Sequence, residues 1–418
     1  MKTPSVVFFC MPERGHFQRL VPLISGVSER GFTAYVLTHR SFESRTRRAG
    51  GVFMDLFSKY PLEEADSESM PIACRYVSFA GRFLEDVRKD VMELRPSLII
   101  YDTFAVVGPV IGDLLGIPHV NVCAGHNLNP ARFLTLLSRD PRVKISPACR
   151  SAVDRLRERH GVHDASPFSY VSMLSPFLNL YCEPPAFLGD ADRRTFEPVA
   201  FFGSLEGDEP ETPRSAGAGS CFGGADEDQT KVYASFGTVV WRYYEREALR
   251  ALKALSDSFA GMTKASVVIG LGGYDLDREL VAALAKPNVR VETYVDQWKI
   301  LAEADLFITH QGLNSTHEAI FHRVPMISYP FFWDQPALAE KCRELDLAVP
   351  LTGAVREPVE SRHVAAALGA LAARRESLRA GLTRAREWEK SVIAGRETIF
   401  DRIASIADPV PRGLYQRR

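Results

Sequence analysis

The chain has 418 residues, of which 46% are hydrophobic and 25% charged, and its net charge at pH 7 is −1. That length is too great for one ordinary core and suits two domains of roughly 200 residues each. The composition is that of a soluble globular protein, and the balanced charge argues against nucleic acid as a partner. The seven cysteines are scattered, odd in number and without a C-x-x-C pair. That pattern argues against a disulfide framework or a zinc site, so a cytoplasmic location is expected.

In chain order, Val6 to Met11 is an apolar run too short for the core of a signal peptide, and it reads as the first strand. After Gly15-His16, the residues Leu20, Leu23, Ile24 and Val27 recur at helical spacing. Gly31 ends that helix, and Thr33 to Leu37 is the second strand. Leu98 to Tyr101 is another, ending at Asp102. Gly116-Ile117-Pro118 leads into His119 to Val122. This alternation predicts a parallel sheet covered by helices on both faces.

Ligands of such sheets bind at the carboxyl ends of the strands, where His16 and Asp102 both fall. A helix N-terminus at His16 favours the neutral imidazole that a general base needs. Asp102 is placed to bond the far ring nitrogen, fix the tautomer and stabilise the imidazolium, as in a catalytic triad with an acceptor hydroxyl in place of serine. Taken alone, the two residues also fit a solvated loop histidine and a helix cap. Phe79, Phe83 and Phe133, with His126, are candidates for the wall of an apolar acceptor cleft, although core packing also accounts for aromatics.

Residues 203–229 are rich in Gly, Ser, Pro, Glu and Asp, which reads as a linker. Strand–helix alternation then restarts. Val232 to Phe236 is a strand, Glu247 to Phe259 a helix, and Ser266 to Gly270, Val289 to Val291, Leu306 to Thr309 and Val324 to Tyr329 are further strands. No run is long enough to cross a bilayer, so no stable membrane insertion is expected. After Pro358 the chain reads as helical, with a last helix from Glu387 to Ile406.

The stretch His310-Gln311-Gly312-Leu313-Asn314-Ser315-Thr316-His317-Glu318 follows a buried strand, turns at Gly312 and opens a helix near Asn314-Ser315. Free N–H groups and the positive end of a helix dipole make such a turn a phosphate site. His310, Asn314 and Ser315 add donors. Glu318, one turn on, is placed to accept hydrogen bonds from a ribose diol, and Asp334-Gln335 supply an acceptor and an amide suited to sugar hydroxyls. A capping box at Ser315 to Glu318 and an N-cap at Asp334 are the structural alternatives.

This order, closed by Phe331-Phe332-Trp333-Asp334-Gln335, resembles the donor signature of the family 1 UDP-glycosyltransferases, among them bacterial macrolide and carotenoid enzymes. The resemblance implies an α/β GT-B fold, two Rossmann-like parallel-sheet domains facing across a cleft. It implies an acceptor domain over 1–202, a linker over 203–229, a nucleotide-sugar domain over 230–386, and a terminal segment, 387–418, crossing back to the first domain. It also implies that His310, Gly312, Asn314 and Ser315 hold the diphosphate, Glu318 the ribose and Asp334-Gln335 the sugar. Ser235-Phe236-Gly237-Thr238 resembles the family turn whose threonine approaches the diphosphate. Tyr294-Val295-Asp296-Gln297 stands where the family has Trp-x-Pro-Gln, whose aromatic stacks on the base while a backbone amide reads its edge. Trp298 is a second candidate for the stack, which leaves UDP and dTDP open. Gly15-His16 and Asp102-Thr103-Phe104 fall on the family's catalytic positions.

The expected activity is an inverting transfer of a hexose from a UDP-sugar to a hydroxyl of a hydrophobic natural product. The nucleotide-sugar acts as co-substrate, and no cofactor and no metal are expected. A dTDP-deoxysugar transferase, a sugar-nucleotide epimerase and a non-catalytic sugar-nucleotide binder are the alternatives. The pair His16 and Asp102 disfavours the last two.

Overall fold

The computed structural model describes residues 4–62, 74–139, 143–206, 220–224, 226 and 228–408. It divides into two compact units, Met1–Gly207 with Val392–Arg418, and Asp208–Ser391. Of the expected linker, residues 207–219, 225 and 227 lie outside the described residues.

The first unit holds seven parallel strands: β1 (Ser5–Phe9), β2 (Thr33–Thr38), β3 (Val52–Asp55), β4 (Leu98–Asp102), β5 (His119–Cys123), β6 (Leu178–Tyr181) and β7 (Val199–Phe201). Their order is β3-β2-β1-β4-β5-β6-β7. Every residue of β1, β4, β5 and β6 is buried, as expected of strands covered on both faces. The helix Arg14–Glu29 turns Phe17, Leu20, Leu23, Ile24 and Val27 inward, the stripe that the spacing predicts.

The second unit holds six strands: β8 (Thr230–Ser235), β9 (Ala265–Gly270), β10 (Val289–Glu292), β11 (Leu306–Thr309), β12 (Met326–Ser328) and β13 (Ala348–Pro350). Their order is β10-β9-β8-β11-β12-β13. Both sheets therefore begin as third, second, first, fourth, fifth and sixth strand of their unit, which is the Rossmann order. Each reverses direction beside its first strand, between β1 and β4 in one unit and between β8 and β11 in the other.

Two helices differ from expectation. The segment expected as one helix from Glu387 to Ile406 is two, Arg375–Ala394 and Arg396–Ala407, with Gly395 capping the second. The helix expected from Glu247 starts at Val240 and breaks at Tyr244, whose φ is −133° and ψ 32°.

The terminal helix Arg396–Ala407 packs on helix Arg14–Glu29. Arg396 fastens it, donating to the carbonyls of Phe202 at 2.9 Å, Glu206 at 3.0 Å and Leu205. Phe400 lies flat on Gly26, where a Cβ would overlap its ring. Nothing lies within 4 Å of a Cβ at the exposed helical Gly369. One substitution should therefore have opposite signs at the two sites. Gly26→Ala overpacks the contact and should cost about 1–3 kcal/mol, while Gly369→Ala should gain up to about 1 kcal/mol from helix propensity. Urea unfolding of both variants checks this, and a stable Gly26→Ala would mean that Phe400 is not seated there.

Candidate functional site

In the second unit, β8 and β11 are hydrogen-bonded neighbours with Ser235 opposite Thr309. Their exits therefore meet. β8 runs into Phe236-Gly237-Thr238 and β11 into His310-Gln311-Gly312, after which the helix Leu313–His322 begins. The imidazole of His310 lies between two glycines. A Cβ at Gly237 would stand 2.7 Å from its Nε2, and one at Gly312 would overlap the ring.

The tight turn itself is not at Gly312, which is extended (φ −69°, ψ 145°). Gln311 takes the left-handed conformation instead, at φ 58°. Gln311 tolerates it because its buried amide is anchored. Its Nε2 donates to Thr316 Oγ1 at 3.2 Å and Cys342 Sγ at 3.3 Å, and its Oε1 accepts from Ser328 Oγ at 3.2 Å. Gly312 is needed for space beside His310, not for its dihedral freedom.

Burial pushes the His310 pKa down to about 4, with a hydrogen bond to the Ser235 backbone opposing it. The ring is thus neutral near pH 7. Its Nδ1 is buried and has no hydrogen-bond partner among the described residues. Such an atom at a helix N-terminus is a place for a ligand group.

Three of the expected residues converge on one another. Gln297 Nε2 donates to Ser315 Oγ at 3.1 Å and to Glu318 Oε2 at 2.8 Å. The helix is capped at Gly312, so Ser315 and Glu318 lie inside it and do not form a capping box. Asp296, where the family pattern has proline, caps helix Gln297–Glu303 by accepting from the Lys299 N–H at 3.3 Å. Of the two aromatics considered for the base, Trp298 packs on Phe321 and His322, with centroids 5.0 and 4.5 Å away. Tyr294 is 57% exposed beyond the end of β10. Val295 next to it is partly buried, Thr238 is exposed, and Asn314 is half-buried on the first turn of its helix.

After β12 the chain makes the turn Phe331–Asp334 into helix Gln335–Glu344. Asp334 occupies the cap position without a capping hydrogen bond. Trp333 is left-handed at φ 61°. Gln335 Oε1 accepts the N–H groups of Phe331 at 2.9 Å and Phe332 at 3.4 Å. The carbonyl end of that side chain thus belongs to the turn, and its amide nitrogen is the end suited to a ligand.

In the first unit, the pairing of Phe9 with Tyr101 brings the ends of β1 and β4 together. His16, third residue of its helix, places Nδ1 3.0 Å from Asp102 Oδ1. Asp102 is fully buried. Its Oδ2 accepts the Met11 N–H and its Oδ1 the Phe104 N–H, each at 2.8 Å. The Phe104 ring lies 4.1 Å from the imidazole. With both oxygens fixed, the carboxylate favours the tautomer protonated on Nδ1, which leaves a lone pair on Nε2. The His16 side chain keeps 14% of its surface exposed.

The acceptor-wall candidates have other partners. Phe79 is buried between Phe57 and Phe83, at 5.5 and 5.4 Å, and Phe83 meets Tyr60 at 5.4 Å. Phe133 is buried in helix Pro130–Arg139, and His126 is sealed against buried Glu183 with Nδ1 2.8 Å from Oε2. Phe79, Phe133 and His126, expected to line a cleft, are buried, and Phe83 is partly buried. Amphipathic helices turn their aromatics to the core, and a buried histidine takes a carboxylate partner. Phe104 was missed as a site residue, although it stands in the Asp102-Thr103-Phe104 triplet. Gly237 and Gln311 were missed because their roles are spatial. Among the described residues no group of His, Cys, Asp and Glu side chains could hold a metal, and no helix is long and apolar enough to cross a membrane.

Residues 199–371 match the family described as UDP-glucoronosyl and UDP-glucosyl transferase. The uncharacterized UDP-glucosyltransferase YdhE of Bacillus subtilis (strain 168) is 24% identical, across 82% of this chain and 84% of its own. Among solved structures, the glycotransferase of kitacinnamycin superposes with a TM-score of 0.74 at 21% identity, over 96% of this chain and 100% of that one. The glycosyltransferase VinC in complex with dTDP does so with 0.63 at 18%, over 97% and 99%.

The buried His310 gives a stability signature. Its folded-state pKa of about 4 is below the ordinary 6.5. Below pH 6.5 the unfolded chain therefore takes up a proton that the fold refuses. Stability present above pH 6.5 is lost as pH falls towards 4, by up to about 3 kcal/mol. His310→Gln should flatten that acid-side loss in urea midpoints measured between pH 7 and 4. An unchanged slope would mean that the ring is not held neutral.

Proposed function

From the premise that this chain is a glycosyltransferase of the GT-B fold, related to the family 1 UDP-glycosyltransferases, we propose that it moves a hexose, glucose by preference, from a UDP-sugar to a hydroxyl of a hydrophobic small molecule, with inversion. The observation that carries the mechanism is the His16–Asp102 contact of 3.0 Å. The Nε2 lone pair takes the acceptor proton as the oxygen becomes a nucleophile. The buried carboxylate stabilises the imidazolium and cannot turn away, since both oxygens hold backbone N–H groups. The oxygen attacks the anomeric carbon on the face opposite the diphosphate, so the configuration inverts.

The leaving diphosphate gathers negative charge. The N-terminus of helix Leu313–His322, with His310, Asn314, Ser315 and Thr238, is suited to stabilise it. Gln297 and Ser315 hold one another, Gln297 Nε2 lying 3.1 Å from Ser315 Oγ and that hydroxyl 3.3 Å from Gln297 Oε1, which fixes the Ser315 side chain on its helix. Gln297 also holds Glu318 Oε2 at 2.8 Å, which fixes the carboxylate that is to meet a ribose diol. Tyr294 supplies the exposed ring for the base, and Val295 the backbone amide at its edge. Asp334 and the Gln335 amide nitrogen address the hexose. No step calls for a metal ion. A dTDP-sugar donor is the second reading. It is favoured by the departure from Trp-x-Pro-Gln at Tyr294 and Asp296 and by the dTDP bound to the similar VinC.

His16→Ala should leave UDP affinity unchanged and lower kcat by roughly two to four decades. Chelator should leave wild-type turnover intact. Calorimetry with UDP and a transfer assay over an acceptor panel, with and without EDTA, check both. Undiminished turnover in the variant would remove His16 from the chemistry, and turnover abolished by EDTA would overturn the metal-free mechanism.

A further inference from the structure

The turn carrying Asp334 and Gln335 is also held from outside, by the loop that follows β13. In that loop the Glu357 carboxylate accepts the N–H groups of Gly353 and Ala354, both at 3.0 Å. The Glu357 carbonyl accepts the Tyr329 hydroxyl at 2.9 Å, which ties the loop to the chain leaving β12. Arg356, itself left-handed at φ 57°, donates its Nη1 to the carbonyl of Phe331. Its guanidinium lies 4.7 Å over the ring of Tyr244. Tyr244, at the break in helix Val240–Ala260, meets Phe331 and Phe332 with centroids at 6.2 and 5.2 Å.

The left-handed Trp333 makes this turn costly to hold, since a bulky side chain disfavours that conformation. Two clamps oppose its relaxation. Gln335 takes the N–H groups of Phe331 and Phe332 from within the helix. Arg356 takes the Phe331 carbonyl from the other side. If that carbonyl is released, the peptide rotates and Asp334, three residues on, changes direction. The elements around His310, namely Gly237, Gly312, Gln311 and its anchors, make none of these contacts with Arg356.

We propose that Arg356 is a positioning residue for the transferred sugar: by clamping the Phe331 carbonyl it aims Asp334 and Gln335 at the hexose hydroxyls and governs which hexose is accepted, without holding the nucleotide. This rests on the reading of Asp334 and Gln335 as hexose contacts.

The test compares wild type, Arg356→Met, Arg356→Lys and Asp334→Ala. The readouts are Kd for UDP alone, KM and kcat for UDP-glucose, and the kcat/KM ratio of UDP-glucose to its 4-epimer, UDP-galactose. Arg356→Met should keep the Kd for UDP, raise KM for UDP-glucose about tenfold, as expected for loss of a charged hydrogen bond, and draw the epimer ratio towards one. Arg356→Lys keeps a donor but loses the planar face over Tyr244, so it should fall between the two. Loss of UDP affinity in parallel with KM would overturn the proposal, because Arg356 would then serve the whole unit. If Asp334→Ala collapses the epimer ratio and Arg356→Met does not, the clamp is overturned and the hexose reading stands. If neither substitution moves the ratio, the hexose reading falls and the clamp falls with it.

Discussion

The reversal of strand order beside the first strand of each sheet is the constraint on which both sites depend. At that point the connections leave on opposite faces of the sheet, which in sheets of this order opens a crevice at the carboxyl ends of the two central strands. Side chains far apart in sequence are brought into contact there. His16 and Asp102, 86 residues apart, meet because β1 and β4 are hydrogen-bonded. Gly237 and His310 meet because β8 and β11 are. The same topology serves two chemistries. In one unit it builds a histidine–carboxylate pair, and in the other a glycine-lined histidine beside a helix N-terminus.

The second site costs backbone strain, which is offset by side chains from elsewhere in the fold. Gln311 and Trp333 are both left-handed without being glycine. Gln311 is anchored by Thr316, Ser328 and Cys342, which lie on a helix, at the end of β12 and on a second helix. Trp333 lies in a turn that Gln335 closes. Strained positions of this kind persist where their surroundings over-determine them, and they cluster at binding sites.

The central strands and the donor segment were legible in the sequence, for different physical reasons. Central parallel strands are buried on both faces and read as unbroken apolar runs, as at Leu98 to Tyr101 and Leu306 to Ile308. The donor segment is legible because a turn against a helix N-terminus demands small and polar residues at fixed offsets. Strands β6, β7 and β13, of three or four residues, are too short to establish a period. Which residue takes the left-handed turn was not legible, since Gln311 depends on anchors up to 31 residues away. The helix break at Gly395 and the early start at Val240 are set by tertiary packing. The acceptor wall was the least legible. Apolar contact needs only area, so Phe79 and Phe133, both buried, look the same in sequence whether they face a ligand or pack in the core.

His16 and His310 show why residue type alone does not assign a role. Both follow a central strand, and both lie against the first turn of a helix. His16 has a carboxylate 3.0 Å from Nδ1, and that carboxylate is pinned by two backbone N–H groups. A proton arriving at its Nε2 therefore creates an ion pair, which is what a base requires. His310 has glycine on two sides, no carboxylate bonded to its ring among the described residues, and a pKa pushed down to about 4 by burial. A proton arriving there from solvent would create an uncompensated buried charge. The first imidazole is thus suited to gain charge and the second to stay neutral, and this difference follows from what each strand end places next to the ring.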